Sequence, residues 1–413
     1  MKSKTPENIT NKRKLKGGKL MNVETILPKR IVSGENSLTY LKNLKGKRAS
    51  LIISGTFARV NPTVVDSVKK ILKEAGIAWH IIYSQGQEPT LEYVKESAKK
   101  VQEFLPDTLV TIGGGSTIDA AKIMEVLYEY PDISDDDLFK RFNLPPIRNK
   151  IKTFIAIPTT SGTGAEVTPF NIVLVKTDNP DTPFIKNAVA DYQTIPDVII
   201  LDPIFTVSMP AAITANTGMD ALVHAIEAYI SNKPKNVFSD LYALEAIRLV
   251  FEYLPKVYKD GKNLIARAKM QYAATMAGIA IANRGAGLAH GIGHQLGPVL
   301  GIRHGLSVSI VLQAVLEYNE PLRKKEYLEI ANYIGINKKT EEETIKKFLE
   351  KLKELMESIN FPSTMQDIGI EKVAYLKNLD LMAKNAKVNS PTLTNPRVPT
   401  IEEIKEILLT LYK

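Results

Sequence analysis

The sequence contains no cysteine, which excludes disulfides, thiolate metal sites and cysteine nucleophiles together. Any metal held by this chain is therefore bound through nitrogen and oxygen. Tryptophan occurs once and histidine five times in 413 residues. No apolar run reaches the roughly 18 residues that a membrane helix needs. The opening MKSKTPENITNKRKLKGGKL has no hydrophobic stretch of the kind a secretory signal carries. A cytoplasmic protein with no membrane partner is the expectation. A strong charge bias is missing as well, once the tail is set aside. Residues 1–20 hold seven Lys/Arg and one Glu, so they carry +6 of the net +9. That segment reads as a basic disordered tail, and the near-neutral body argues against a nucleic-acid partner.

What remains is an ordinary globular composition, 44% hydrophobic and 24% charged, in a chain long enough for two domains. ASLIIS (49–54), AWHIIYS (78–84), DTLVTI (107–112) and KTFIAIP (152–158) read as strands. A polar turn is expected after the first strand. Amphipathic helices separate the strands, and such βαβ alternation predicts a parallel sheet. NIVLVK (171–176) and DVIILDP (197–203) complete the strand-rich part. Beyond residue 203, long segments of helical period dominate. The expected organisation is an α/β domain over 21–203, with a parallel sheet, and an all-α domain over 204–413.

Two kinds of motif carry chemistry. In TLVTIGGGSTIDAAK, three glycines and a serine separate a buried strand from a helix. Glycine admits close approach of a ligand, and free N–H groups at a helix start favour an anion such as a pyrophosphate. TTSGTG (159–164) is a second glycine-hydroxyl loop at a strand end, readable as a ligand contact or as a Ser/Thr-rich turn. The second kind is a concentration of histidine. GLAHGIGHQLGPVLGIRHG (287–305) holds His290, His294 and His304, and GMDALVHAIEAY places Asp220 and His224 at i and i+4. Side chains four apart share a helix face, and carboxylate with imidazole is a divalent-metal donor set. Spacing does not single out which of these five side chains coordinate. A dinucleotide cleft beside such a metal predicts a dehydrogenase, with the metal as Lewis acid and the cofactor carrying hydride.

The blocks GGGSTIDAAK, AIPTTSGTGAEVT, ILDPIFTVSMP, TGMDALVHAIEAYIS, GLAHGIGHQLG, RHG and TNPR follow in order along the chain. In these it resembles the iron-containing (group III) alcohol dehydrogenase family, from about residue 21 onwards. The resemblance implies the dehydroquinate-synthase-like architecture, an α/β dinucleotide-binding domain over 21–203 with an all-α metal-binding and catalytic domain over 204–413, and an iron-dependent enzyme acting on a small primary alcohol or aldehyde. It implies Asp220, His224, His290 and His304 as ligands of Fe(II), with Zn(II) the alternative. His294 then stands beside the metal as the catalytic residue. Gly114, Gly115 and Ser116 are placed at the pyrophosphate, and Asp119, Thr159, Thr160 and Thr163 around the nicotinamide and ribose. Lys186 is matched to the family's cofactor-contacting lysine. NAD-preferring members carry an Asp after the first nucleotide strand, where this chain has Gly55; NADP(H) is therefore expected over NAD(H). A homodimer or higher homo-oligomer is also implied. Within the same superfamily, a maleylacetate reductase and a hydroxyacid–oxoacid transhydrogenase are the alternatives. A dehydroquinate-synthase-like cyclase would need cations for a substrate phosphate, and only Arg284 and Arg303 lie near the metal motifs.

Overall fold

Leu51, Ile52 and Ile53 are consecutive and all fully buried, the pattern of a strand covered on both faces. The computed structural model describes residues 23–85, 88–178 and 183–412; the expected basic tail of residues 1–20 lies outside them. Its strands are β1 (Ile31–Ser33), β2 (Arg48–Ser54), β3 (Ala78–Ser84), β4 (Thr108–Gly113), β5 (Thr153–Pro158), β6 (Phe170–Lys176), β7 (Phe184–Ala190) and β8 (Val198–Leu201). Six of them form one parallel sheet in the order β1-β8-β5-β4-β2-β3.

Alternate residues of these strands feed two cores. Ile52, Leu109 and Phe154 pack with α3 (Leu91–Phe104) and α4 (Gly115–Glu129). Leu51, Ile53, Val110, Ile112, Ile155 and Ile157 pack with Val65, Val68 and Leu72 of α2 (Pro62–Glu74). The chain runs outward from β2 to β3, then returns across β2 to β4 and proceeds the other way to β5. The direction of winding therefore reverses between β2 and β4, and their carboxyl ends flank the crevice where such sheets bind ligands.

Two local features differ from the sequence expectations. The turn expected after β2 is a short helix, α1 (Gly55–Val60), begun by Ser54, whose Oγ accepts the Phe57 N–H at 3.3 Å. NIVLVK does not extend the parallel sheet; as β6 it pairs antiparallel with β7, forming a separate hairpin. β7 went unread because Lys186 and Asn187 interrupt its apolar pattern. Residues 131–150, between α4 and β5, contain one short helix, α5 (Asp135–Leu138).

The helical part comprises α6 (Ala211–Ile230), α7 (Val237–Lys259), α8 (Leu264–Arg284), α9 (Leu288–Leu300), α10 (His304–Ser309), α11 (Leu312–Tyr333), α12 (Glu341–Ser358), α13 (Lys372–Lys377), α14 (Leu379–Val388) and α15 (Ile401–Thr410). α6 is the central helix, with every residue from Gly218 to Ile230 buried. Its C-terminal carbonyls are closed by Arg284, itself 1% exposed, which donates to Ala228 O at 3.1 Å, Ser231 O at 3.2 Å and Lys233 O at 2.5 Å. An N–H fork on orphan carbonyls is a C-cap by side chain. This occupies Arg284 structurally and removes one of the two cations that a phosphate-binding cyclase would need; Arg303 is exposed. Among the described residues, no helix is long and apolar enough to cross a membrane.

Candidate active site

Asp220 projects from the middle of α6 and is 1% exposed. Its Oδ1 lies 3.9 Å from His224 Nε2, 3.8 Å from His290 Nε2 and 3.8 Å from His304 Nε2. Three helices supply these groups: α6 the first two, α9 His290 and α10 His304. Gly305 permits the last approach, since a Cβ there would fall 2.5 Å from the Asn216 carbonyl oxygen of α6.

The donor set fits a divalent ion. Ligand atoms of Asp220, His290 and His304 all lie within 4.8 Å of one another. Two ligands about 2.1 Å from one tetrahedral ion stand about 3.4 Å apart. Asp220 Oδ1 and His290 Nε2 are buried and have no hydrogen-bond partner among the described residues. Each such orphan costs about 1–3 kcal/mol, a cost a cation would offset. His224 stands outside the tightest three, its ring stacked on His290 with centroids 4.5 Å apart. His294 lies beside the cluster, its ring centroid 5.7 Å from His290 and 5.4 Å from His304.

Electrostatics point the same way. Burial and the neighbouring Glu227 push the Asp220 carboxyl up to about 8. Burial takes His224 down to about 4, against the opposing pull of Glu227 and the Gly162 backbone. Burial takes His294 down to about 4 too, with Lys186 adding to the effect. His290 and His304 are depressed well below the ordinary histidine value, burial again first among the causes. Neutral imidazoles are the form that binds metal. A pocket holding two buried carboxyls among neutral rings is short of positive charge.

The cofactor motifs meet at the crevice. Gly113 of β4 pairs with Pro158 of β5, and Thr159 N–H donates to Gly113 O at 3.0 Å, so the two glycine loops are neighbours. Gly114 and Gly115 do not adopt positive φ. They are glycines because the facing loop is close: a Cβ on Gly114 would meet Thr160 at 3.2 Å, and one on Gly115 would meet Thr163 at 2.9 Å. Gly114 caps α4 without a side chain, and Ser116 lies in its first turn, leaving backbone N–H groups for an anion. The same Thr/Gly loop reaches the helical part, where Gly164 abuts Gly278 of α8; a Cβ on Gly164 would fall 2.5 Å from the Gly278 Cα.

The remaining expected residues are more dispersed. Asp119 is buried one turn into α4, its Oδ2 accepting the Ile172 N–H of the hairpin at 3.1 Å. Burial raises its carboxyl, opposed by Lys122. Lys186, on β7, is ion-paired with Glu88, and its charge adds to the depression of His294 and His304. Gly55 opens a hollow of about 400 Å³ at the ends of β2 and β3, lined by Thr56, Ala58, Arg59, Tyr83, Ser84 and Gln85. Arg59 is exposed there; it donates to Thr56 Oγ1 at 3.4 Å and forms no ion pair among the described residues.

Sequence reasoning passed over three further residues. Lys122, the last residue of GGGSTIDAAK, is fully buried and donates to Ala165 O and Thr168 O at 2.6 Å each, tying the second loop to α4. Glu227 contacts His290, and Asn389 contacts His294. Glu227 is seven residues from Asp220 and so shares its helix face, a signal present in the sequence. Asn389, 95 residues from His294, left none.

Fold and site together define a two-part protein, a doubly wound nucleotide-type sheet opening onto helices that carry a candidate metal centre. Family models match both parts: "Iron-containing alcohol dehydrogenase" over residues 28–203 and "Fe-containing alcohol dehydrogenase family, C-terminal" over residues 214–412. The chain belongs to the iron-containing alcohol dehydrogenase family, and it is an oxidoreductase acting on alcohols. It is 38% identical to an NADPH-dependent butanol dehydrogenase of Clostridium saccharobutylicum, over 94% of this chain and 97% of that one. It is 36% identical to the bifunctional aldehyde-alcohol dehydrogenase AdhE of Escherichia coli K12, over 89% of this chain and 43% of that longer protein. The solved iron-containing alcohol dehydrogenase of Thermococcus thioreducens superposes with a TM-score of 0.84 at 33% identity, covering 94% of this chain and 99% of that one.

Proposed function

We propose that the chain interconverts a small primary alcohol and its aldehyde, using NADP(H) and an Fe(II) ion held by Asp220, His224, His290 and His304. The observation that carries this reading is the convergence of three imidazole Nε2 atoms on Asp220 Oδ1, at 3.8 to 3.9 Å, beside the crevice of a doubly wound sheet. When bound, the metal supplies Lewis-acid polarisation of the substrate oxygen and the nicotinamide carries hydride, Zn(II) being the competing metal.

The chain's own residues do the rest. Burial keeps the imidazoles neutral and thus able to ligate. Asn389 accepts from His294 Nδ1, which leaves Nε2 free to take or return the proton of the substrate oxygen, directly or through water. Gly114, Gly115 and Ser116 offer backbone N–H groups to the pyrophosphate. Thr159, Thr160, Thr163 and Asp119 surround the nicotinamide half, and Lys186 contacts the cofactor from the hairpin. At the other end Gly55 brings no carboxylate against a 2′-phosphate, and Arg59 offers it a cation. The NADPH dependence named for the clostridial relative supports this choice. The proposal includes a division of the described chain at 203/204 and a cytoplasmic homodimer or larger homo-oligomer. Exposed Phe184 and Ile185 on the hairpin support self-association.

The test is anaerobic. Protein reloaded with Fe(II) is given NADPH, and separately NADH, with a series of short aldehydes, and loss of reduced-nicotinamide absorbance is followed. Faster NADPH oxidation, abolished by EDTA, is the expected result. Equal or faster use of NADH overturns the cofactor assignment, and full activity with Zn(II) alone overturns the iron assignment.

A further inference from the structure

Glu227 is 2% exposed and lies on the face of α6 that carries Asp220 and His224. Its two carboxylate oxygens do different things. Oε2 is 2.6 Å from His290 Nδ1. Oε1 accepts the backbone N–H of Ala289 at 2.6 Å and that of His290 at 3.3 Å. Those N–H groups belong to the first turn of α9, whose N-cap, Gly287, provides no side-chain cap. Gly287 is also the residue that lets the carboxylate in, because a Cβ there would sit 2.9 Å from Glu227 Oε1.

We propose that Glu227 is the positioning residue of the metal centre, holding His290 in its ligating tautomer and capping α9 with the same carboxylate. The inference rests on the metal reading given above. In its ionised form the carboxylate only accepts hydrogen bonds, which puts the His290 proton on Nδ1 and leaves the Nε2 lone pair facing Asp220. That Nε2 is buried and has no hydrogen-bond partner among the described residues, which is the state of an atom reserved for another partner. Because Oε1 binds the backbone N–H of the same histidine, ring tautomer and main-chain position are set together. One helix face thus carries two expected ligands and the group that orients a third.

Glu227→Gln separates the two jobs. The two backbone N–H groups need an acceptor, so the amide oxygen takes the place of Oε1 and the cap is kept. The amide NH2 then faces His290 Nδ1 and donates to it, which moves the ring proton to Nε2 and blocks ligation. Partners of metal-binding histidines of this kind are worth about 10–100-fold in metal affinity.

The experiment titrates the metal-free full-length protein and E227Q with Co(II) against a chromophoric competitor, with thermal denaturation of each metal-free form alongside. The expected outcome is E227Q binding Co(II) about 10–100-fold more weakly than the parent, with a cooperative unfolding transition retained. E227Q binding with the parent's affinity overturns the inference and leaves the metal reading standing. A parent that takes up no Co(II) overturns both. Should E227Q not fold, 15N-histidine NMR of the metal-free parent decides, the His290 signals being assigned by their loss in His290→Gln. An Nδ1–H tautomer sustains the inference, and an Nε2–H tautomer overturns it.

Discussion

His294 Nδ1 lies 3.2 Å from Asn389 Oδ1, so a residue just after α14 fixes the orientation of a ring on α9. The amide oxygen accepts, the imidazole donates, and the far nitrogen of His294 is left bare. Asn389→Leu removes one hydrogen bond, worth about 1 kcal/mol net. The expected result is a roughly fivefold fall in kcat with metal content unchanged. Steady-state kinetics with elemental analysis on the same preparation checks it; an unaltered kcat refutes the coupling.

Asp220→Asn exchanges the focal carboxylate for a neutral amide among three imidazoles. Metal affinity is expected to drop by about a hundredfold or more, with activity lost in parallel. His294→Ala separates the roles, since turnover should fall while metal stays bound. Retention of metal by D220N, or its loss from H294A, would reverse the assignment of these two side chains.

Chelation should lower thermal stability. Two buried polar atoms, Asp220 Oδ1 and His290 Nε2, have no hydrogen-bond partner among the described residues. An ion present at a hundred times its Kd contributes about 2.7 kcal/mol. Scanning fluorimetry with and without EDTA, on protein shown to carry metal, is expected to give a Tm several degrees lower without the ion. Coincident curves would mean the ion does not hold the helices together.

A pH dependence separate from the site comes from Asp197. Burial opposes its ionisation, but Arg148 Nε at 3.0 Å, Lys29 Nζ at 2.6 Å and the Phe154 N–H at 2.9 Å hold its carboxyl below the usual range. A depressed carboxyl stabilises the fold above its unfolded pKa, and that contribution disappears as pH falls through the folded value. Asp197→Asn should therefore cost roughly 2 kcal/mol at neutral pH, mostly by removing one of the two carboxylates paired with Arg148, Glu125 being the other. The difference between parent and variant should shrink below about pH 4. Urea unfolding at neutral and acid pH measures it, and a difference that grows on acidification contradicts the sign.

Arg59→Ala tests the cofactor reading. The expected change is a KM for NADPH raised about tenfold, with the KM for NADH nearly unaltered, as for loss of a charge-assisted phosphate contact. Equal effects on both cofactors would place the 2′-phosphate elsewhere.

The buried strands and long helices were legible because their periods are strong: β2, β4 and β5 are nearly continuous apolar runs, and α12 repeats its apolar side at helical spacing. The hairpin strand β7 and the three-residue β1 carry too short or too mixed a pattern to be read. The five side chains of the candidate metal site announced themselves by rarity and by i,i+4 spacing. Their supports did not. Arg284 and Lys122 look in sequence like surface cations, and only tertiary structure shows them buried on carbonyl groups. The glycines of GGGS suggested room for a ligand, and the structure gives a further reason for them, the pressing threonines of the adjacent loop.

The Gly164–Gly278 contact has a consequence for how such a chain can evolve. Every expected metal ligand lies on the helical side of it and every glycine of the phosphate-type loops on the other. At this point backbone meets backbone, and beside it few side chains have to match, Thr275 with Glu166 at 2.7 Å and Ile279 with Val167. Halves drawn from two relatives can then be recombined across it if both keep glycine at the paired positions and the matching side chains beside them, so substrate preference and cofactor preference are free to be inherited from different parents.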